Sequence, residues 1–382
     1  MRRSVLVLAV AVVVLWGWVA SAGLVTGLGT NGSYGLYDGL YQWEIGADAA
    51  SSRQLGKVAL GAGGLIGHEL WPGTYTADVA RLSDGRVAVA HRDATNTKAQ
   101  VSVLTPTYDA TGLLTGATLD ATFDNVHSAG KIAPLPNGGF VTMGGGSAVF
   151  YQQTGPSTWT ATTNTGPSGN AYDVAGLVNG NCVVGDYIDD PNKAGNIPRT
   201  GHKYDATSTL ARYSGGANGY GWGYGKSGEG LRSALLSNGW ILTGETSTTI
   251  GSAVCDGTET DGQWYDGRMG EVTNSDGTGI YDKQWAALSD GRVVTVWSSG
   301  WMRHDTTFRV YDLVNDPGDR VGTVGANGET FEAILGAGVG GDTFVGRIAG
   351  DYMVEPPARP VAEPAALSIV GLALCALRRR RS

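Results

Sequence analysis

Leu82-Ser83-Asp84-Gly85-Arg86-Val87-Ala88-Val89-Ala90 and Leu288-Ser289-Asp290-Gly291-Arg292-Val293-Val294-Thr295-Val296 are two copies of one phrase. Each sets a leucine, a polar step and a glycine before an apolar, Val-rich run. Asp-Gly and Asn-Gly favour the positive φ of type I′ turns, which join twisted antiparallel strands. Runs rich in valine read as strands. The phrase therefore predicts a hairpin, with one strand over residues 76–82 and the next over 86–91. Variants stand at Leu135-Pro136-Asn137-Gly138, Leu177-Val178-Asn179-Gly180 and Leu236-Ser237-Asn238-Gly239. A degraded sixth copy has Leu335 ahead of Gly341-Asp342-Thr343-Phe344-Val345.

The phrase recurs roughly every fifty residues, a period in the range of propeller blades. A third strand-like run follows at Gln100–Tyr108 and Thr307–Tyr311, and a fourth at Leu114–Leu119. Four antiparallel strands per repeat make a blade. The phrase resembles the turn between the first and second strands of β-propeller repeats of kelch-like or WD-like size, although those families' outer-strand signatures are absent. The expected fold is all-β, a propeller of six blades over residues 23–355, with seven blades as the alternative and a pair of sandwiches as a third reading. Residues 23–75 carry strand-like pieces at Leu40–Ile45 and Arg53–Ala59 but no phrase, and the last copy is short. Closure is therefore expected where the N-terminal strands complete the last blade, which leaves few exposed edges.

Composition agrees with short strands and turns. Glycine is abundant at 61 of 382 residues and only 16% of residues are charged, which suits turn-rich β structure better than a helical bundle. The formal charge is -8. An acidic domain repels phosphate backbones, so nucleic acid is not an expected partner. Cys375 lies in a terminal apolar segment, leaving Cys182 and Cys255 as either a disulfide or two buried thiols. No Cys/His cluster suggests zinc.

Both ends read as addresses. Arg2-Arg3, an apolar run from Val5 to about Ala20 and the small-x-small Ala20-Ser21-Ala22 form a signal peptide over residues 1–22, to be removed by signal peptidase. At the other end, a Pro-rich spacer over 356–361 precedes Ala362-Glu363-Pro364, an apolar stretch over 365–377 and Arg378-Arg379-Arg380-Arg381. Four arginines stay cytoplasmic by the positive-inside rule, which leaves the body outside. The apolar stretch is shorter than the ~20 residues of a comfortable span, so a transient anchor is expected. This tail resembles the PEP-CTERM sorting signal of bacterial exported proteins, with the first Pro of the triplet replaced by Ala362. The resemblance implies an exosortase-like processing enzyme acting near Glu363-Pro364, and a cell-surface or extracellular destination among envelope polysaccharide.

Three stretches are candidates for chemistry. Six residues after each turn glycine stand His91, Gly144, Asp186, Glu245, Trp297 and Arg347, with Arg92, Asp93, Asp189 and Asp190 beside them. Matched positions at the far end of six second strands would form a binding ring, or would merely be where strands meet solvent. Gly219-Tyr220-Gly221-Trp222-Gly223-Tyr224-Gly225 would put Tyr220, Trp222 and Tyr224 on one face if extended, a platform for sugar rings. The competing reading is a loop packed by its own aromatics. Asp256, Glu259, Asp261, Asp266, Asp276 and Asp282 offer oxygen ligands suited to Ca²⁺, though their spacing matches no EF-hand loop or nonapeptide repeat and solvated loop charge is the favoured reading. The expectation is no cofactor and no metal, with Ca²⁺ as the exception to watch for.

HExxH, GxSxG and P-loop signatures are all absent, and no catalytic residues are named. The expected function is a non-catalytic binding or adhesion module of the envelope or extracellular matrix, for a glycan or an envelope protein. The alternatives are a secreted carbohydrate-active hydrolase or lyase on the same scaffold, and a purely structural envelope protein.

Overall fold

The computed structural model describes residues 22–352 except 32–35, 71–76, 126–130, 145–146, 156–157, 166–169, 177–181, 189–196, 205–210, 213–230, 236–239, 246–251, 257–263, 266–282, 298–306, 312–328 and 335–342. Among the described residues the fold is all-β, in six four-stranded antiparallel sheets. The first sheet joins the two ends of the domain: β24 (Thr343–Gly350), β1 (Gly23–Asn31), β2 (Gly39–Ile45) and β3 (Arg53–Ala59), in that order. The second is β4 (Asp78–Arg81), β5 (Val87–Arg92), β6 (Ala99–Tyr108) and β7 (Leu114–Asn125). The third is β8 (Lys131–Pro134), β9 (Phe140–Gly144), β10 (Ser147–Gly155) and β11 (Thr158–Thr165). The fourth is β12 (Asn170–Gly176), β13 (Cys182–Ile188), β14 (Ile197–Tyr204) and β15 (Ala211–Arg212). The fifth is β16 (Leu231–Leu235), β17 (Trp240–Glu245), β18 (Ser252–Asp256) and β19 (Trp264–Tyr265). The sixth is β20 (Lys283–Ala287), β21 (Val293–Trp297), β22 (Thr307–Tyr311) and β23 (Glu329–Ile334).

The first strands of the sheets neighbour one another in cyclic order: β24 with β4, β4 with β8, β8 with β12, β12 with β16, β16 with β20, and β20 with β24. The arrangement is propeller-like. Apolar layers fill the spaces between successive sheets. Leu28, Leu40, Val79, Val87 and Val89 pack between the first and second sheets. Ala80, Leu82, Ile132, Phe140 and Tyr151 pack between the second and third. Between the sixth and first, Trp43 stacks on Tyr41 at 5.8 Å and tilts against Phe308 at 5.1 Å. Backbones approach closely where first strands converge. A Cβ at Gly176 would collide with the Pro134 carbonyl oxygen, and one at Gly350 with that of Ala287.

Two expectations are corrected. The Ser-Asp-Gly turns are not type I′. Gly85 N–H donates to the Leu82 carbonyl (2.9 Å) and Leu82 N–H to that of Arg86 (2.8 Å), which closes a three-residue loop. Only the glycine has positive φ, 88° at Gly85 and 95° at Gly291. The aspartate supplies the rest by accepting the N–H two residues on, Arg86 on Asp84 and Arg292 on Asp290. The Pro136-Asn137-Gly138 turn does have two consecutive positive φ values, 59° and 68°.

The degraded copy at Leu335 and Gly341 is not a first-to-second-strand turn either. The strand before it, β23, closes the sixth sheet, while the strand after it, β24, begins the first. Residues 335–342 therefore link two sheets. The N-terminal strands do share a sheet with the C-terminal strand, three to one. Where the second, third and sixth sheets have a turn between first and second strands, this one has the two ends of the domain. Asp351 bridges them: its carboxylate accepts from Leu24 N–H (3.0 Å), Ser289 N–H (2.9 Å) and Ser289 Oγ (3.1 Å). Burial raises the pKa of Asp351 against the pull of these donors.

Candidate functional site

The first strands run side by side in one direction, which gives the molecule two faces. At the turn face, neighbouring turns interlock: Gly138 N–H donates to Ser83 Oγ at 2.7 Å, and Ser289 is held by Asp351. The arginine of the phrase reaches onward in the same sense each time. Arg86 pairs with Asp84, donates to Gln153 Oε1 (2.6 Å) on the third sheet, and lies over the Trp159 ring at 5.1 Å. Arg292 pairs with Asp290 and donates to the Ile45 and Gly46 carbonyls at the end of β2. These turns are scaffold, and their polar groups are committed.

The far face is where second strands end and first strands begin. His91, the last residue but one of β5, stands there, but it is not on an open rim: it is 2% exposed. The His68 ring packs against it, 5.4 Å from its own. Both rings donate to one acceptor, the Arg92 carbonyl, His68 through Nε2 (2.7 Å) and His91 through Nδ1 (2.8 Å). His91 Nε2 then accepts from Ser102 Oγ at 2.9 Å, and Ser102 meets Thr122 Oγ1 at 3.1 Å. Burial, with His68 adding to it, pushes the His91 pKa down to about 4 against the raising effects of the Arg92 carbonyl and Asp93. The imidazole is neutral at pH 7. A serine on a histidine is a nucleophile–base pair in outline. Ser102 is 1% exposed, however, so the pair is buried from any substrate and serves packing.

Asp93 holds its own loop. It accepts from the Thr97 and Lys98 N–H groups and the Thr95 and Thr97 hydroxyls, and these bonds lower its pKa to about 2. Arg347 is also not where the glycine alignment puts it. It lies in β24, a first strand, pairs with Leu28 and is 1% exposed, so it is no far-end second-strand residue. The alignment fails because Gly341 starts no hairpin. Gly144, Glu245 and Trp297 close β9, β17 and β21, whereas Asp186 lies inside β13, paired with Ala171 beside a bulge. Tyr220, Trp222 and Tyr224 lie outside the described residues, as do Asp189, Asp190, Glu259, Asp261, Asp266, Asp276, Asp282 and the whole tail with Glu363, Pro364 and Arg378 to Arg381. Among the described residues, no group of three or more His, Cys, Asp or Glu is placed to hold a metal ion, and no helix is long and apolar enough to cross a membrane.

A second set of positions at this face was legible but missed. The residue four before each turn leucine pairs with the residue five after the turn glycine: Asp78 with Ala90, Lys131 with Met143, Asp173 with Gly185, Arg232 with Gly244, Gln284 with Val296. Arg347, four before Asp351, holds the same place in β24, because Gly350 and Gly176 make the same close approach to the preceding first strand. Asp78, Lys131 and Arg347 are buried, at 6%, 2% and 1% exposed. Two of them visibly tie one first strand to the next. Asp78 Oδ2 accepts from Ile132 N–H, and Arg347 Nε donates to the Ala77 carbonyl, both at 3.1 Å. Reading forward from the turn glycine hides this set; reading backward from the leucine exposes it.

No family model matches the chain, and no curated protein matches it. Solved structures resemble it distantly. A streptogramin B lyase is 14% identical with a TM-score of 0.33, over 65% of this chain and 72% of that one. A mutant Aleuria aurantia lectin in complex with Fucalpha1-6GlcNAc is 14% identical with a TM-score of 0.40, over 63% and 77%. A putative 6-phosphogluconolactonase from Bacteroides fragilis is 9% identical with a TM-score of 0.36, over 87% and 99%. Likenesses this distant assign no function to the chain.

Proposed function

We propose that the six sheets are the blades of a six-bladed β-propeller, closed where the N-terminal strands complete the last blade. In this reading the protein is exported by its signal peptide, carried to the cell surface or extracellular matrix by its PEP-CTERM-like tail, and acts there as a non-catalytic binding or adhesion module for a glycan or an envelope protein. The observation that supports it is the cyclic order of the first strands, with both ends of the domain in one sheet. A ring so built offers one face fixed by repeated turns and another free to vary. Ligands of such scaffolds are set by the site and not by the fold, so the far face is the place to look.

A glycan array probed with the mature chain from Gly23, followed by capture on isolated envelope material, tests the reading. Binding that is weakened by changes at Arg92, Asp93 or Glu245 but not at Arg86 is the expected result. No binding to any glycan or envelope component sinks it.

A further inference from the structure

The apolar layer between the first and second sheets turns polar at its turn-face end. Side chains two residues apart on a strand share a face. In β1, Thr26 stands two residues before Leu28 of that layer; in β2, Gln42 stands two after Leu40; in β4, Arg81 stands two after Val79. Tyr108 ends β6 beside them. These side chains touch. Tyr108 Oη donates to Gln42 Oε1 at 2.7 Å, and Gln42 Nε2 donates to Thr26 Oγ1 at 3.3 Å. Arg81 Nη1 reaches Thr26 Oγ1 and Tyr108 Oη, each at 3.5 Å. The repeat does not ask for a charge here. The residue before each turn leucine is Arg81, Pro134, Gly176, Leu235 or Ala287, and before Asp351 it is Gly350, so Arg81 alone is charged.

Arg81 is 7% exposed, yet no ion pair among the described residues includes it. Its Nη1 bonds are longer than an ordinary hydrogen bond, and its buried Nε has no partner. Asp351 feels the Arg81 charge from farther off, but its carboxylate accepts from Leu24 and Ser289 instead. A charge taken out of water is unfavourable unless an opposite charge and hydrogen bonds replace the solvent. The cluster cannot supply them. A guanidinium only donates, and the oxygens around it belong to neutral groups with N–H or O–H donors of their own. Donors exceed acceptors, and the surplus carries a positive charge.

We infer that Arg81 anchors a binding seat for a carboxylate, reached from the surface past Tyr108. Tyr108 is 37% exposed while its hydroxyl is latched on the buried Gln42, so one side chain is both lid and wall. Turning the phenol outward takes only one long bond from Arg81. A carboxylate in its place accepts a bidentate pair of N–H bonds from the guanidinium fork. A monoanion is enough, because Asp351 already offsets part of the charge; a phosphate dianion overshoots. The acid is either free or borne by a larger molecule such as a uronic acid sugar. The inference needs only the contact of the first two sheets. It goes beyond the far-face reading and stands or falls apart from it.

The test uses thermal melts and calorimetric titration of the mature chain with acetate, D-glucuronate, inorganic phosphate and chloride at constant ionic strength. Acetate and glucuronate raise the melting temperature by a few degrees, and phosphate and chloride raise it less. Glucuronate binding about tenfold tighter than acetate identifies a sugar acid as the source, and equal affinity identifies the carboxylate alone. Arg81→Gln abolishes the carboxylate shift. It also removes a poorly compensated buried charge, so the ligand-free melting temperature is unchanged or higher. Tyr108→Phe deletes the latch and keeps the ring, so it binds acetate at least as tightly as wild type. Arg53→Gln, at an exposed arginine of β3, retains the shift. No carboxylate shift in wild type, an unchanged shift in Arg81→Gln, or chloride matching acetate would each overturn the inference. So would a lower ligand-free melting temperature for Arg81→Gln, which would make the arginine a structural partner of Asp351. A blank glycan array leaves the acetate result standing, and a missing acetate shift leaves the far-face reading standing.

Discussion

The two faces of the molecule are made by the same six first strands and follow opposite rules. At the turn face, Leu82-Ser83-Asp84-Gly85-Arg86 and Leu288-Ser289-Asp290-Gly291-Arg292 use their residues in the same way: aspartate accepts within its own loop, and arginine reaches the next sheet. At the far face, positions just as equivalent in register carry Asp78, Lys131 and Arg347. A residue type repeats where its neighbour repeats. It changes at the far face, where Asp78 and Arg347 reach backbone groups beside the next first strand instead. Sameness therefore marks one kind of constraint and ordered difference another, and both can be structural.

The comparison can be broken first at the place where a side chain stands in for a turn. Asp351→Ala removes three accepted bonds and leaves the Leu24 and Ser289 N–H groups without this acceptor, so a loss of about 3 kcal/mol is expected in urea unfolding. A loss under about 1 kcal/mol would mean the ends are closed by packing alone. The far face has a pH signature. His91 titrates at about 4 in the fold against 6.5 unfolded. Its contribution is whole above pH 6.5, declines as the unfolded chain takes up protons, and is gone below pH 4. The span is up to about 3 kcal/mol. Asp351, whose pKa is raised, acts in the opposite sense as pH falls. Stability measured from pH 7 to 4 should therefore be steeper in wild type than in His91→Gln; parallel curves would remove His91 as the cause.

Smaller effects sharpen the turn face. Arg292→Ala loses an aspartate pair and two carbonyl acceptors in half-buried surroundings, about 2 kcal/mol, while Arg86→Ala, whose Asp84 partner is more open to solvent, costs about 1 kcal/mol. Equal losses would show that the Gln153 and Trp159 contacts of Arg86 match the carbonyl contacts of Arg292. Gly85→Ala has open space for its Cβ, so its cost is the strain of a positive φ, about 1 kcal/mol. A neutral Gly85→Ala would mean that the loop can adopt another turn.

Most of the strand pattern was readable because each sheet repeats its own local signals. The second and third strands of the second sheet fall within a residue of where the sequence places them, the fourth starts at Leu114 as expected but runs on to Asn125, and β3 matches residue for residue. What escaped reading was non-local. β1 (Gly-Leu-Val-Thr-Gly-Leu-Gly-Thr-Asn) is nearly all buried over residues 23–29, so it shows no period-two contrast, and its glycines weaken the strand signal. The His68 ring that packs on His91 comes from outside the strands of its sheet, and nothing near position 91 announces it. Arg347 was aligned on a glycine that begins no hairpin. The alternating charges were in plain view, but only a count backward from Leu82, Leu135, Leu177, Leu236 and Leu288 brings them into line.

Asp351 also decides how the domain answers to force. Residues 25 and 350 are cross-strand partners at one extremity of the β1–β24 ladder, and the pairing runs from there to residues 31 and 343. A pull applied between the chain ahead of residue 22 and the chain beyond residue 352 peels this ladder open one hydrogen bond at a time, beginning at the aspartate, instead of shearing all its bonds together. Tension carried through both ends would thus unzip the seam, whereas tension on either end against the far face must drag a sheet out whole.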